Sequence, residues 1–85
     1  MINPKIHITI SGAVGSGRSL IARKIHNLLF REEFEKLVPV IEDGENYIVG
    51  YRTYSEEALL KEVGDNPILL ISVRSNGQQN QNPQP

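Results

Sequence analysis

The chain has 85 residues, a formal net charge of −1 at pH 7 and no cysteine. A chain this short builds one modest core, because small domains bury only about 60% of the surface that their unfolded chains expose. The absence of cysteine excludes disulfides and thiolate metal sites. Nine basic and ten acidic residues give no electrostatic case for general binding to nucleic acid or to an anionic membrane.

The hydropathy pattern bears on localisation. No apolar stretch approaches the roughly 20 residues that a membrane-spanning helix needs, and the amino terminus lacks the pattern of a secretory signal. We therefore expect a cytoplasmic protein with no membrane partner.

The first half of the chain predicts a strand and a long helix. Residues 5–10 alternate apolar and polar side chains and are rich in β-branched types, which indicates a strand. Between Ser16 and about Lys36, apolar residues recur at three- and four-residue spacings, which predicts the main helix. The apolar positions are Leu20, Ile21, Ile25, Leu28 and Leu29, with Phe34 as a further candidate.

The middle of the chain predicts a second strand and a turn. Residues 38–42 are largely apolar, and Pro39 belongs at the start of this strand or on an edge because it has no amide donor. Asp43 and Gly44 then predict a turn. Residues 47–51 form either a third strand paired back on the second or an extended connection.

A second helix and a buried strand follow. Ser55 is the candidate helix cap, Glu56 and Glu57 suit the positive end of the helix, and Gly64 marks its end. Residues 67–73 are almost continuously apolar, as in a strand that is covered on both faces. We expect this strand to lie beside the first.

These elements predict one α/β domain over residues 1–74. The favoured fold is a minimal P-loop-like, mostly parallel sheet of three to four strands with two helices. The alternative is a ferredoxin-like βαββαβ fold, which the same element order fits. Residues 75–85 are almost entirely polar, and we expect a disordered tail there.

A glycine-rich run between the first strand and the first helix is the candidate binding site. It has the pattern glycine, four residues, glycine, a basic residue and a hydroxyl. Glycines allow positive φ values and leave room for amides to converge on a phosphate, and a helix start adds its positive dipole end. The residues are Gly12, Ala13, Val14, Gly15, Ser16, Gly17, Arg18 and Ser19.

Residues 8–22, Ile-Thr-Ile-Ser-Gly-Ala-Val-Gly-Ser-Gly-Arg-Ser-Leu-Ile-Ala, resemble the opening of P-loop nucleoside and nucleotide kinases. They also resemble very small P-loop proteins encoded by bacteriophages, which would place the chain in the host cytoplasm. The resemblance implies that the backbone of residues 13–19 cradles the phosphates of ATP or GTP. It also implies that the Ser19 hydroxyl helps to hold Mg²⁺ when a nucleotide binds.

The chain departs from that family in two places. Arg18 occupies the position of the family's lysine, and its planar fork differs from a compact ammonium. The strand at residues 68–73 has no acid where many P-loop enzymes carry a magnesium-orienting aspartate, and Glu42 and Asp43 are the nearest substitutes. These departures favour binding over turnover and leave catalysis open.

The leading hypothesis is therefore a nucleotide- or phosphate-binding module related to degenerate P-loop NTPases and kinases. The alternative is a small phage-type interaction protein that uses the fold as a scaffold, with a protein partner or a second copy of itself. His7 and His26 have no second ligand at metal-site spacing, so we expect surface or partly packed histidines and no zinc site.

Overall fold

The computed structural model describes residues 2–32 and 36–75, which form a five-stranded sheet and two helices. The predicted α/β class is confirmed. The elements are β1 (Ile6–Gly12), α1 (Arg18–Glu32), β2 (Val38–Asp43), β3 (Asn46–Val49), β4 (Arg52–Tyr54), α2 (Glu56–Val63) and β5 (Ile68–Ser75). Strand β5 includes Ser75, and the rest of the tail predicted for residues 75–85 lies outside the described residues.

The sheet is mixed, with the strand order β1-β5-β2-β3-β4. Strand β5 pairs in parallel with β1 and β2, whereas β3 pairs antiparallel with β2 and β4. The expectation of a mostly parallel sheet of three to four strands therefore holds only for β1, β5 and β2. The ferredoxin-like alternative is not confirmed, because β5 is an interior strand with a parallel neighbour on each side.

Strand β5 forms the middle of the core. Its side chains alternate between the two faces of the sheet, so each face contributes to a separate apolar cluster. Leu69 and Ile71 pack with Ala22 of α1, whereas Leu70 packs with Leu59 of α2. The two helices therefore cover opposite faces, which confirms the prediction that this strand is buried on both sides and lies beside β1.

Proline in β2 is tolerated because of where β3 begins. The Val38 amide donates to the Pro67 carbonyl on the β5 side, so the nitrogen of Pro39 faces the other way. On that side β3 pairs only with residues 41–43. A two-residue turn with Gly44 at φ 67° joins the two strands, which confirms the predicted turn and the paired third strand.

Helix α2 begins and ends as its local sequence predicts. The Ser55 Oγ accepts a hydrogen bond from the Ala58 amide at 3.2 Å, and Gly64, at φ 60°, donates its amide hydrogen to the Leu60 carbonyl at 3.1 Å.

Among the described residues, neither α1 nor α2 has the length and apolar character needed to cross a membrane.

His26 lies in the core, which corrects the expectation of a surface or partly packed residue. It is fully buried, and its Nε2 accepts a hydrogen bond from the Gly50 amide at 3.1 Å. That partner comes from the β3–β4 connection, so helix periodicity alone does not reveal it. Gly50 has φ 63°, and a Cβ there would approach Phe30 Cζ to 3.4 Å.

Candidate functional site

Residues 13–17 form a tight loop between Gly12, which ends β1, and Arg18, which begins α1. The Ser16 amide donates to the Ala13 carbonyl at 3.1 Å, which closes a turn. Gly15 and Gly17 have φ values of 86° and 92°, in the region that side chains with a Cβ rarely adopt. The shape of this backbone therefore depends on glycine at both positions.

The amino-terminal end of α1 has no carboxylate of its own in its first turn. The first helical hydrogen bond runs from the Ile21 amide to the Gly17 carbonyl at 3.0 Å, so the amides of residues 18–20 precede it. No acidic residue lies in the first turn of α1, whereas α2 has Glu56 and Glu57 there. The first turn of α1 therefore carries no carboxylate of its own, and the nearest acid described beside it is Asp43 of β2, at Ser19.

Gly12, the first glycine of the loop, accommodates the side chain of Arg18. A Cβ on Gly12 would lie 2.8 Å from Ser16 Oγ and 3.2 Å from Arg18 Cγ, so the arginine stem packs against this glycine. The Arg18 Nε is buried and has no hydrogen-bond partner among the described residues. An unpartnered buried donor costs about 1–3 kcal/mol, so the position requires an explanation.

Ser19 and Asp43 meet beside the loop. The Ser19 Oγ donates to Asp43 Oδ2 at 3.5 Å, and both residues are exposed. Asp43 ends β2, and the carboxyl ends of the parallel strands β1, β5 and β2 lie at one edge of the sheet. The fold thus brings a hydroxyl and a carboxylate together at the edge where the glycine loop lies.

Glu42 lies on the face of the sheet that α2 covers, opposite to the face of Asp43, and hydrogen bonds hold its carboxylate there. Ser72 Oγ donates to its Oε1 at 2.6 Å, and Tyr47 OH donates to its Oε2 at 3.4 Å. Arg74 NH2 lies 3.6 Å from the same Oε1. Of the two acids that sequence analysis considers, only Asp43 is therefore available beside the loop.

A polar cluster that sequence analysis misses surrounds Glu42 on the α2 face. His7 Nε2 lies 2.7 Å from Ser72 Oγ, and because that hydroxyl donates to Glu42, the Nε2 carries the proton in this contact. Burial raises the pKa of Tyr47, and the carboxylates of Glu42 and Glu56 add to the effect, so the phenol remains a donor. The one sequence feature that could have indicated this cluster is Ser72, a polar residue within the otherwise apolar run of β5.

The described residues offer limited means to hold a metal ion. No three histidine, cysteine or acidic side chains cluster among them. A cation beside Ser19 and Asp43 would therefore take further ligands from water and from a bound phosphate. Mg²⁺ is commonly bound in this way, with one or two carboxylates and substrate oxygens.

The eight residues predicted as the site comprise the last residue of β1, the connecting loop and the first two residues of α1. Gly12 and Arg18 are half-buried and the other six are exposed, including Val14 at 76%.

Comparison with known proteins adds no assignment, since no protein-family model, curated protein or solved structure matches the chain.

Proposed function

We propose that the chain is a binding module for the phosphate group of a nucleotide or a related small molecule, held by residues 12–19. One observation carries the proposal: a loop with two left-handed glycines leads into a helix start that has no acidic residue in its first turn. Such a loop aligns amide donors and the positive helix end toward one point, which suits a phosphate.

The side chains around the loop fit this ligand class. Arg18 supplies a permanent positive charge and several donors, which match the oxygens of a phosphate. The Ser19 hydroxyl and the Asp43 carboxylate supply oxygen ligands for a Mg²⁺ ion that accompanies ATP or GTP. The proposal is one of binding and assigns no reaction.

The proposal is tested by calorimetric titration of ATP, GTP and inorganic phosphate, with and without Mg²⁺, into the wild type and Gly17→Ala. A Cβ at Gly17 meets nothing within 4 Å, so the substitution acts through the backbone, because alanine disfavours φ 92°. We expect saturable binding to the wild type and at least about tenfold weaker binding to the variant, as the loop amides turn away from the ligand.

Gly64→Ala is the matched control for this experiment. Gly64 also has a positive φ, and a Cβ there also meets open space, but it ends α2 rather than lining the loop. We expect it to lose stability and keep its affinity. No heat from the wild type with any of the three ligands would refute the proposal, and equal affinity in Gly17→Ala would place binding outside the loop.

Asp43→Asn tests the role of Mg²⁺ separately. We expect this variant to lose the gain in ATP affinity that Mg²⁺ gives the wild type, because a neutral amide is a poorer Mg²⁺ ligand than a carboxylate. Its affinity for phosphate without Mg²⁺ should not fall, since a negative charge near the anion is removed. Asp65→Asn, an exposed acid remote from residues 12–19 in sequence, is the control. An unchanged Mg²⁺ effect in Asp43→Asn would exclude this carboxylate as a ligand.

A role as an interaction protein is favoured by one separate observation. Helix α1 exposes Leu20, Ile21 and Leu28 at 50–60%, and β1 is an edge strand with β5 as its partner. Exposed apolar side chains and free strand edges are features of protein-binding surfaces. This alternative predicts no nucleotide binding and no functional effect of Gly17→Ala.

A further inference from the structure

Two buried polar atoms lack a hydrogen-bond partner among the described residues: Arg18 Nε and Ser75 Oγ. Native structures leave few such atoms, and each one requires an explanation, such as backbone strain, a functional role, or contact with water or an ion. Ser75 is the last residue of β5 and belongs to no motif in the sequence.

Both residues that carry these atoms neighbour Gly12. Ser75 is the register partner of Gly12 in the parallel β1–β5 pair, and register partners project to the same face of a sheet. Gly12 has no side chain on that face, and Ser16 Oγ, Arg18 Cγ and Arg18 Cδ lie 2.8, 3.2 and 3.4 Å from where its Cβ would be. The two residues with unpartnered atoms therefore lie on either side of Gly12, next to the glycine loop.

Another serine of β5 shows how a structural hydroxyl is satisfied in this sheet. Ser72 is fully buried, donates to Glu42 at 2.6 Å and lies 2.7 Å from His7. Ser75 has no equivalent contact, although its Oγ is equally shielded from water. Among the described residues, the Ser75 hydroxyl therefore forms no hydrogen bond that could stabilise the fold.

We propose that Ser75 is a further ligand-binding residue, whose hydroxyl donates to the oxyanion held by residues 12–19. Because its Oγ is shielded, the anion reaches it when the side chains that lie over Gly12, those of Arg18 and Ser16, move away. The attraction between the guanidinium and the anion draws the long Arg18 side chain outward, which satisfies the arginine donors and uncovers Ser75. This inference rests on the proposed phosphate-binding function.

The test compares Ser75→Ala with Ser11→Ala, an exposed serine near the end of β1 that pairs with Arg74. Inorganic phosphate and Mg-ATP are the ligands, and affinity and thermal stability are measured for each protein. We expect Ser75→Ala to bind about tenfold more weakly, the loss typical of a hydrogen bond to a charged group. Its midpoint of thermal unfolding without ligand should be unchanged or higher, because an unpartnered buried hydroxyl has been removed.

A second readout follows Arg18 directly. The Nε–H signal of Arg18 in a ¹⁵N–¹H correlation spectrum, assigned with Arg18→Lys, should shift on addition of phosphate to the wild type. Ser11→Ala should match the wild type in affinity and in this shift.

The outcomes separate the inference from the function on which it rests. If the wild type binds phosphate and Ser75→Ala binds equally well, Ser75 is not a ligand-binding residue while the proposed function stands. If Ser75→Ala is less stable without ligand, its hydroxyl is structural and the inference is overturned. If the wild type binds neither phosphate nor Mg-ATP, the proposed function fails and this inference fails with it.

Discussion

Replacing Ile71 with alanine is expected to lower the free energy of unfolding by about 2–5 kcal/mol. Ile71 is fully buried in the interior strand β5, where it is the register partner of Ile8 in β1 and Ile41 in β2. Truncation leaves a cavity between the sheet and α1 as well as losing buried apolar surface. Because small domains are stable by only about 5–15 kcal/mol, the loss is a large fraction of the total.

Urea denaturation measures this effect, with Ile6→Ala as the control. Ile6 is also a strand isoleucine, but it is 41% exposed at the start of the edge strand β1. We expect its truncation to cost less than about 1 kcal/mol, with a similar dependence on urea in both variants. Equal losses at the two positions would contradict the placement of β5 at the centre of the core.

The elements predicted most accurately are those whose signals are local. Helix α2 carries its own boundaries in Ser55 and Gly64, and both caps form as expected. Successive side chains of strand β5 point to opposite faces of the sheet and are apolar on both. This pattern by itself predicts that other elements cover both faces. The position of the glycine loop between a strand and a helix also follows from neighbouring residues alone.

The features that sequence analysis misses depend on contacts between distant segments. Strand β4 has only three residues and pairs with β3, so no periodicity indicates it. Residues 38–41 are apolar at every position, so alternation does not reveal which face Glu42 or Asp43 occupies. The sheet register decides this, and with it which of the two carboxylates lies beside Ser19.

Ser75 illustrates the same limit within the candidate site. In sequence it precedes a polar segment and looks like the first residue of a tail. Only the parallel pairing of β1 with β5 places it opposite Gly12. A binding residue on a second strand is therefore invisible to a motif that reads residues 12–19 alone.

Acidification is expected to destabilise the protein through His26. Its Nε2 accepts from the Gly50 amide, so the proton of the neutral ring is on Nδ1, which donates to Asn27 Oδ1 at 2.9 Å. Burial lowers the pKa of His26 below 6.5, the Asn27 hydrogen bond opposes this shift, and the charge of Arg23 adds to it. The unfolded chain therefore binds a proton at a higher pH than the folded chain.

The sign of the effect follows from this difference in proton binding. The contribution of neutral His26 to the free energy of unfolding is fully present above pH 6.5 and declines as the pH falls below that value. It stops declining below the pKa of His26 in the folded state. Urea denaturation between about pH 7.5 and about pH 5.5 measures the slope while most carboxylates remain charged.

Two substitutions of His26 separate its charge from its hydrogen bond. In His26→Gln the amide oxygen can still accept from Gly50 without titrating, so we expect a flatter dependence of stability on pH. His26→Leu flattens it too, but leaves the Gly50 amide without its acceptor and costs about 1–3 kcal/mol more than glutamine at neutral pH. Both variants lose the stacked contact with Phe30, whose ring centroid lies 5.5 Å from that of His26, so this loss largely cancels between them. A wild-type slope that persists in both variants would show that other groups cause the acid sensitivity.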